Sequence, residues 1–549
     1  MTEFKWLTKD LDWRKMVALN PDFNLEIAEE ILNTAEKFGE DLDKVNFQAD
    51  IEGVRLVDKK VLTPAKFKEL YNQFKELGFN SLDMKEQYGG MNMPTLIYTA
   101  INNLIMKQCL AFSIYPGLTH AAMGVIEAFA SEEIKNKYLP LMISGEMTGT
   151  MCLTEENCGT DLSLIRTKAR MDNDKFLITG SKVFISGGDQ DLSENIAHLV
   201  LAKTENKNSL QAISLFLVPK LIDNKLNVET ARLEEKMGLH ANSTAQLVFS
   251  DSIGYLIGDR GEGLKYMFKM MNEARLGVGI QAVSLMEKGW ELSRAWAQER
   301  KTSFDINNLQ SREKLISIEN IPDVKKMLLF QGANIYPSKR LIFYVSHLFD
   351  LLNLEKDEKK KKELHKEISL LTPIVKAFIS DRAQESIYQA MQIHGGHGYI
   401  RENKIEQLAR DVRILPIYEG VNNIQYLDFT ARKVMQQFKF YQKYLNKLIK
   451  ESTKFKNKNR TKLLLELLKL KLASVRLGMA AKKDVKKIFE VSSELANIFA
   501  NTYFAYLWLK LEENQENKKK QEYQQYLQYY FDYLLPRNKT LYMIFYNKI

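Results

Sequence analysis

The sequence predicts a mainly α-helical protein with one central β domain, and three observations carry that prediction. Apolar residues recur at helical spacing through the first quarter of the chain, the pattern changes to short strands between about Met147 and Gly258, and helical patterns then return. At 549 residues the chain is long enough for three or four domains and for burying a large cofactor.

The helical spacing of the first part is seen at Ile27, Ile31 and Leu32, and again at Phe67, Leu70, Tyr71 and Phe74, with Thr63-Pro64 and Gly89-Gly90 as punctuation. Residues 1–146 are therefore read as a helical domain. Within 147–257 the expected strands are Phe176–Thr179, Ser181–Ser186, His198–Ala202, Ile213–Val218 and Ala245–Phe249. Thr179-Gly180 is the expected hairpin turn, and the spacing suits a compact antiparallel barrel or sandwich. Residues 258–435 read as long helices. Residues 436–549, with a dense amphipathic repeat from Leu463 to Leu472, read as an appended helical domain concerned with packing.

Composition narrows the function classes. The net charge of +9 comes from lysine runs such as 359–362 and 518–520, which suit solvated loops better than a nucleic-acid surface. Three cysteines, Cys109, Cys152 and Cys158, form no disulfide framework and no zinc pattern, which points to a reducing compartment. The first residues contain no apolar signal core, and no run of about 18 uncharged apolar residues occurs. A cytoplasmic protein without a transmembrane segment is expected.

Three segments carry chemistry. Gln392-Ile-His-Gly-Gly-His-Gly-Tyr-Ile closes a helical pattern; no strand precedes it, so its glycines are not a dinucleotide fingerprint. They either let backbone amides approach a pyrophosphate or adenosine closely, or form a structural left-handed turn. His394 and His397 lack a carboxylate or cysteine to complete a ligand set, so no metal is expected. In the segment 414–425, Glu419 is the single carboxylate among apolar and amide side chains. Burial would raise its pKa toward the range of a general base; alternatively it stabilises the dipole of a helix starting near Asn422. In the segment 151–161, Thr154 and Thr160 offer hydroxyls and open amides to a planar ring or phosphate, though a β-turn at Gly159 explains the same residues.

Taken in order, Met151 to Asp161, Lys182-Val-Phe-Ile-Ser-Gly-Gly, Gln392 to Tyr399 and Ile417-Tyr-Glu-Gly resemble the motifs of the acyl-CoA dehydrogenase family over roughly residues 25–435. The extended ends resemble its subgroup of large members, which includes 3-methylmercaptopropionyl-CoA and related fatty acyl-CoA dehydrogenases. The resemblance implies a helical domain, a central β-barrel and a helical bundle, with FAD held between the barrel and the bundle of one subunit and touched by a neighbour. It implies flavin contacts at Met151, Leu153, Thr154, Gly159, Thr160, Phe184, Ile185 and Ser186, with Arg300 and Thr302 reaching the FAD of a partner subunit. Gln392, Gly395 and Gly396 match the adenosine and pyrophosphate loop, and Asn423 a further FAD contact. Thr160, Asn272, Arg275, Glu419 and Gly420 match substrate contacts.

By the same resemblance Glu419 is the base that takes the α-proton, the product is a trans-2-enoyl-CoA, and electrons pass to electron-transfer flavoprotein from a homodimer or homotetramer. An acyl-CoA oxidase and a non-catalytic FAD- or acyl-CoA-binding scaffold are the alternatives. Three positions depart from the family pattern: Glu156 in place of proline, Thr160 in place of serine and Val421 in place of threonine. These are expected to loosen the turn and to remove one hydroxyl contact to FAD, affecting affinity more than chemistry.

Overall fold

The computed structural model of the protein describes residues 2–17, 23–205, 209–303, 315–514 and 520–549. It divides into two compact units, one formed by Asp22–Gly277 and the other by Met1–Pro21 with Val278–Ile549.

In the first unit Asn24 opens the helix Leu25–Glu52, its side chain accepting hydrogen bonds from the amides of Glu26 and Ile27 at 2.9 Å. The helices Thr95–Gln108, Leu110–Phe129 and Glu132–Ile143 follow. A small hairpin, Arg55–Val57 with Lys60–Leu62, interrupts the otherwise helical stretch. The sheet has seven strands: β1 Met147–Cys152, β2 Lys168–Asp172, β3 Lys175–Ser186, β4 Asn195–Lys203, β5 Ile213–Pro219, β6 Glu229–Leu233 and β7 Thr244–Ile257.

Their order is β6-β7-β3-β2-β4-β1, with β5 pairing both β7 and β4. The sheet is mixed, not purely antiparallel as the spacing suggested: β1 lies parallel to β4 over six residue pairs, and β2 meets β4 in parallel at Lys168 and Lys203. Alternation along β4 and β5 buries both faces. Val200, Phe216 and Val218 pack with Ile178, Ile185, Leu247 and Phe249. Leu199, Leu201, Leu215 and Leu217 pack toward Ala122, Met123 and Met142 of the helices.

The expected turn at Thr179-Gly180 is absent. Strand β3 runs straight through it, and the hairpin turn is Asn173-Asp174, where Asn173 takes φ 54°. Gly180 is required for a close approach instead. A Cβ there would lie 2.5 Å from Thr167 Oγ1 and 2.8 Å from Thr167 Cα.

The second unit is helical apart from a two-stranded ladder, Lys301–Thr302 with Ile316–Ser317. Helices Pro322–Leu354, Glu358–Pro373 and Ile379–His394 build its centre, the last two joined by a π-helical turn, Ile374–Phe378. The segment after Gln436 packs into this same unit. Trp508 donates to the Ala333 carbonyl at 3.0 Å, and Phe504 meets Phe378 edge-on at 4.9 Å. The N-terminal helix Thr2–Thr8 joins it through Trp6, stacked on Tyr523 at 4.1 Å. Among the described residues no helix is long and apolar enough to cross a membrane.

Candidate active site

In the first unit, β1 ends at Cys152 and the chain enters a turn closed by reciprocal bonds between Glu155 and Cys158. The carbonyl of Thr154 accepts from the Val183 amide at 2.9 Å, which ties this turn to β3. Beneath it the buried Glu155 carboxylate accepts from Lys182 Nζ (2.8 Å), the Arg166 amide (2.6 Å), and the Thr167 amide and hydroxyl (3.1 and 2.6 Å). Lys182, fully buried, also donates to the Leu153 carbonyl at 3.0 Å. Burial pushes the Glu155 carboxyl up, but the Lys182 charge and these donors more than offset it and hold the group below its usual range. The turn expected to be loosened by Glu156 is thus stapled from below by the residue preceding it.

Past this staple, Gly159 and Thr160 are exposed, and a Cβ at Gly159 would meet nothing within 4 Å. On β3, Phe184 is held at φ 59° with 62% of its surface exposed. A bulky residue in the left-handed region and an aromatic ring turned to solvent are both costly, and together they make this position a candidate for a binding surface. Ile185, by contrast, points its side chain into the sheet core at 2% exposure, so it can offer a ligand only its backbone. Leu153 is likewise buried, while Met151, Thr154 and Ser186 are half-buried. Asn272 is exposed on the helix Gly263–Glu299 and accepts from Arg275 Nη1 at 3.2 Å.

In the second unit the helix Ile379–His394 ends at Gly395, whose φ of 59° with ψ −139° is a conformation open in practice to glycine alone. A Cβ at Gly395 or Gly396 would touch nothing within 4 Å, whereas one at Gly398 would lie 2.9 Å from the Met391 carbonyl. The glycines therefore divide: the first two form an open face beside exposed Gln392, and the third packs the turn onto its helix. The ring N–H at His394 Nδ1 donates to the Ala390 carbonyl at 2.8 Å, and the ring stacks on Trp296. Burial lowers the His394 pKa. His397 lies 4.9 Å from the same indole. Arg300 and Thr302 sit at and just beyond the end of the helix Gly263–Glu299, Arg300 exposed and Thr302 in the two-stranded ladder.

Glu419, half-buried, stands at φ 55° in the turn before the helix Asn422–Leu427, and Gly420 follows at φ 84°. Both carbonyls of this pair are tethered: Gln425 Nε2 donates to the Glu419 oxygen at 3.0 Å and Lys376 Nζ to the Gly420 oxygen at 2.8 Å. Tyr418 donates its hydroxyl to Gln281, and burial, with the charge of Glu419, raises the phenol's pKa. Asn423 is exposed, while its neighbour Asn422 is buried among Lys376, Ser380 and Asp381.

Sequence reasoning did not single out Glu155 and Lys182 as a pair, nor Lys376, Gln425 or Trp296. Lys376 had a signal: it is the only charged residue between Ile368 and Ile379.

Residues 50–146, 150–252 and 351–434 match, in that order, the N-terminal, middle and C-terminal domains of acyl-CoA dehydrogenases. A 3-methylmercaptopropionyl-CoA dehydrogenase of Ruegeria pomeroyi is 35% identical over 436 residues, spanning 77% of this chain and 74% of that one. The chain belongs to the acyl-CoA dehydrogenase family. A butyryl-CoA dehydrogenase of Syntrophomonas wolfei is 33% identical over 75% of this chain and 69% of its own. Among solved structures, butyryl-CoA dehydrogenase of Megasphaera elsdenii covers 74% of this chain and 98% of its own (26% identity, TM-score 0.63). An acyl-CoA dehydrogenase of Bacillus anthracis covers 99% of this chain and 90% of its own, at 23% identity and TM-score 0.73, and shares the fold.

Members of this acyl-CoA dehydrogenase family are oxidoreductases acting on CH–CH groups with FAD, which the solved Bacillus anthracis enzyme holds, and the residues present fit that cofactor. At Gly395 and Gly396 an added Cβ would meet nothing within 4 Å, so phosphate oxygens have room to approach this backbone closely, although the Gly395 amide itself is bonded to the Gln392 carbonyl. Strained, exposed Phe184 and the open turn at Gly159-Thr160 supply a surface and hydroxyl suited to a planar ring.

Proposed function

We propose that this acyl-CoA dehydrogenase forms trans-2-enoyl-CoA from a fatty or related acyl-CoA, with Glu419 as the base, and that it works in the cytoplasm as a homodimer or homotetramer. The observation that carries this is Glu419 itself: a half-buried carboxylate held in left-handed backbone, with both adjoining carbonyls tethered. Strain that the surroundings hold in place is characteristic of reacting groups. Bound FAD supplies the hydride acceptor. Glu419 takes the proton from C2 of the acyl group, and its fixed backbone sets the direction of that transfer. Thr160, Asn272 and Arg275 stand as substrate contacts, and Gln392, Gly395, Gly396 and Asn423 hold the adenosine and pyrophosphate. Arg300 and Thr302 reach the FAD of a second subunit.

The ring of pairings β7–β3–β2–β4–β5–β7 supports reading residues 147–257 as a barrel. Electrons leave to an electron-transfer flavoprotein. Purified holoenzyme is mixed without oxygen with short, medium and long acyl-CoA esters, then offered either electron-transfer flavoprotein or air. Bleaching of the flavin by one chain-length class, followed by rapid reoxidation by the flavoprotein alone, is the expected result. Rapid reoxidation by air identifies an oxidase, and no bleaching with any ester identifies a binding scaffold.

A further inference from the structure

Lys376 is fully buried in the π-helical turn Ile374–Phe378, and every residue from Leu370 to Ser380 is buried around it. A fully buried amine carries a large desolvation cost unless acceptors meet it. Acceptors are present. Lys376 Nζ donates to the Gly420 carbonyl and to Asn422 Oδ1, both at 2.8 Å. Asn422 is itself fixed: its amide donates to the Ala377 carbonyl (3.0 Å), to Ser380 Oγ (2.9 Å) and to Asp381 Oδ1 (2.7 Å), and its backbone amide to the Pro416 carbonyl (3.0 Å). The lysine therefore does not roam over a surface. It joins a rigid helix to the carbonyl of Gly420, the residue that follows Glu419.

That peptide needs holding. Glu419 at φ 55° occupies a region that is strained for a residue with a Cβ, so the turn reverts to ordinary backbone unless contacts maintain it. Gln425 holds the Glu419 carbonyl and Lys376 the Gly420 carbonyl, so the two successive carbonyls that follow the strained φ are both held. The π-helical turn is part of the device, since a π turn inserts one extra residue and is frequent at functional sites.

We infer that Lys376 is a positioning residue for the reaction: its amine, seated on the Gly420 carbonyl and Asn422, holds the Glu419 turn in the conformation that aims the carboxylate. This rests on the proposal that Glu419 is the base, and it names how the chain keeps that base in place.

The test is a double-mutant cycle on FAD-loaded enzyme, read by the rate of anaerobic flavin bleaching at saturating acyl-CoA, with FAD content and acyl-CoA affinity measured alongside. Lys376→Met keeps the length of the side chain and removes its donors. In the Glu419 background it is expected to slow bleaching by about 10- to 100-fold, the scale of a small misplacement of a reacting group, with little change in affinity. In the Glu419→Gln background, where no base remains to be aimed, the same substitution is expected to change the residual rate by less than about 2-fold, because coupled residues are not additive. Equal losses in both backgrounds, or no loss in either, overturn the inference. A wild-type rate in Glu419→Gln alone instead overturns the assignment of the base. Should Lys376→Met fail to fold, Lys376→Gln, which keeps a donor, is put through the same cycle and judged by the same non-additivity.

Discussion

Lys182 Nζ lies 2.8 Å from Glu155 Oε1, beneath the turn that leads to Gly159 and on the strand that carries Phe184. This pair joins two segments that composition alone shows as a turn and a strand. Removing one partner of a buried pair strands the other without its countercharge, at a cost of roughly 3 kcal/mol. Lys182→Met is therefore expected to lower the unfolding free energy from urea titration by that amount and to reduce FAD content in the folded fraction. An unfolding free energy within about 0.5 kcal/mol of the parent contradicts the role of the staple.

The same pair sets a dependence on pH. Glu155 in the folded protein titrates below its usual range, so as pH falls past the ordinary glutamate value of about 4.3 the unfolded chain takes up the proton first. The stabilisation is present in full at neutral pH and is lost on acidification, until the folded carboxyl itself is protonated. Glu155→Gln is expected to start less stable at pH 7 and to lose less between pH 5 and 3. Parallel losses for parent and variant assign the acid sensitivity to other groups.

The division of the glycines gives a contrast between neighbours. Gly396→Ala places its methyl in open space, so the melting temperature of the apoprotein is expected to stay near the parent's while FAD binding weakens. Gly395→Ala forces a Cβ into backbone that only glycine adopts and is expected to cost about 1–3 kcal/mol as well. Unchanged FAD affinity in Gly396→Ala removes this loop from the cofactor site.

Arg300 is exposed at the end of its helix, and in the proposed assembly it reaches the FAD of another subunit. Arg300→Ala is expected to reduce FAD retention and oligomer content together, measured by absorbance and light scattering, while leaving helix content intact. Preservation of both quantities places the cofactor contact elsewhere.

Much of this was legible beforehand. The helical, β, helical order shows because amphipathic periods differ between helix and strand, and Glu419 shows because it is the single carboxylate in its segment. The parallel pairing of β1 with β4 was not legible, since each strand is buried and neither alternation nor a short turn reports its partner. Gly180 misled for a related reason: glycine serves a turn or a close approach equally well, and only Thr167, distant in sequence, decides between them. Lys376 and Gln425 act through backbone carbonyls, which leave no mark on the sequence of the turn they hold.

Glu419→Gln tests the role of Glu419 as base most directly, because the amide keeps the side chain's size while removing its capacity to accept the proton. The measurement is the anaerobic rate of flavin bleaching by a good acyl-CoA substrate in the FAD-loaded variant, beside FAD content and acyl-CoA affinity. If Glu419 is the base, FAD content and affinity stay near the parent's while the bleaching rate falls by at least about 10²-fold. Bleaching at close to the parent rate contradicts it, and directs attention to Glu273 on the helix Gly263–Glu299, where the carboxylate is paired with Lys269 at 2.6 Å.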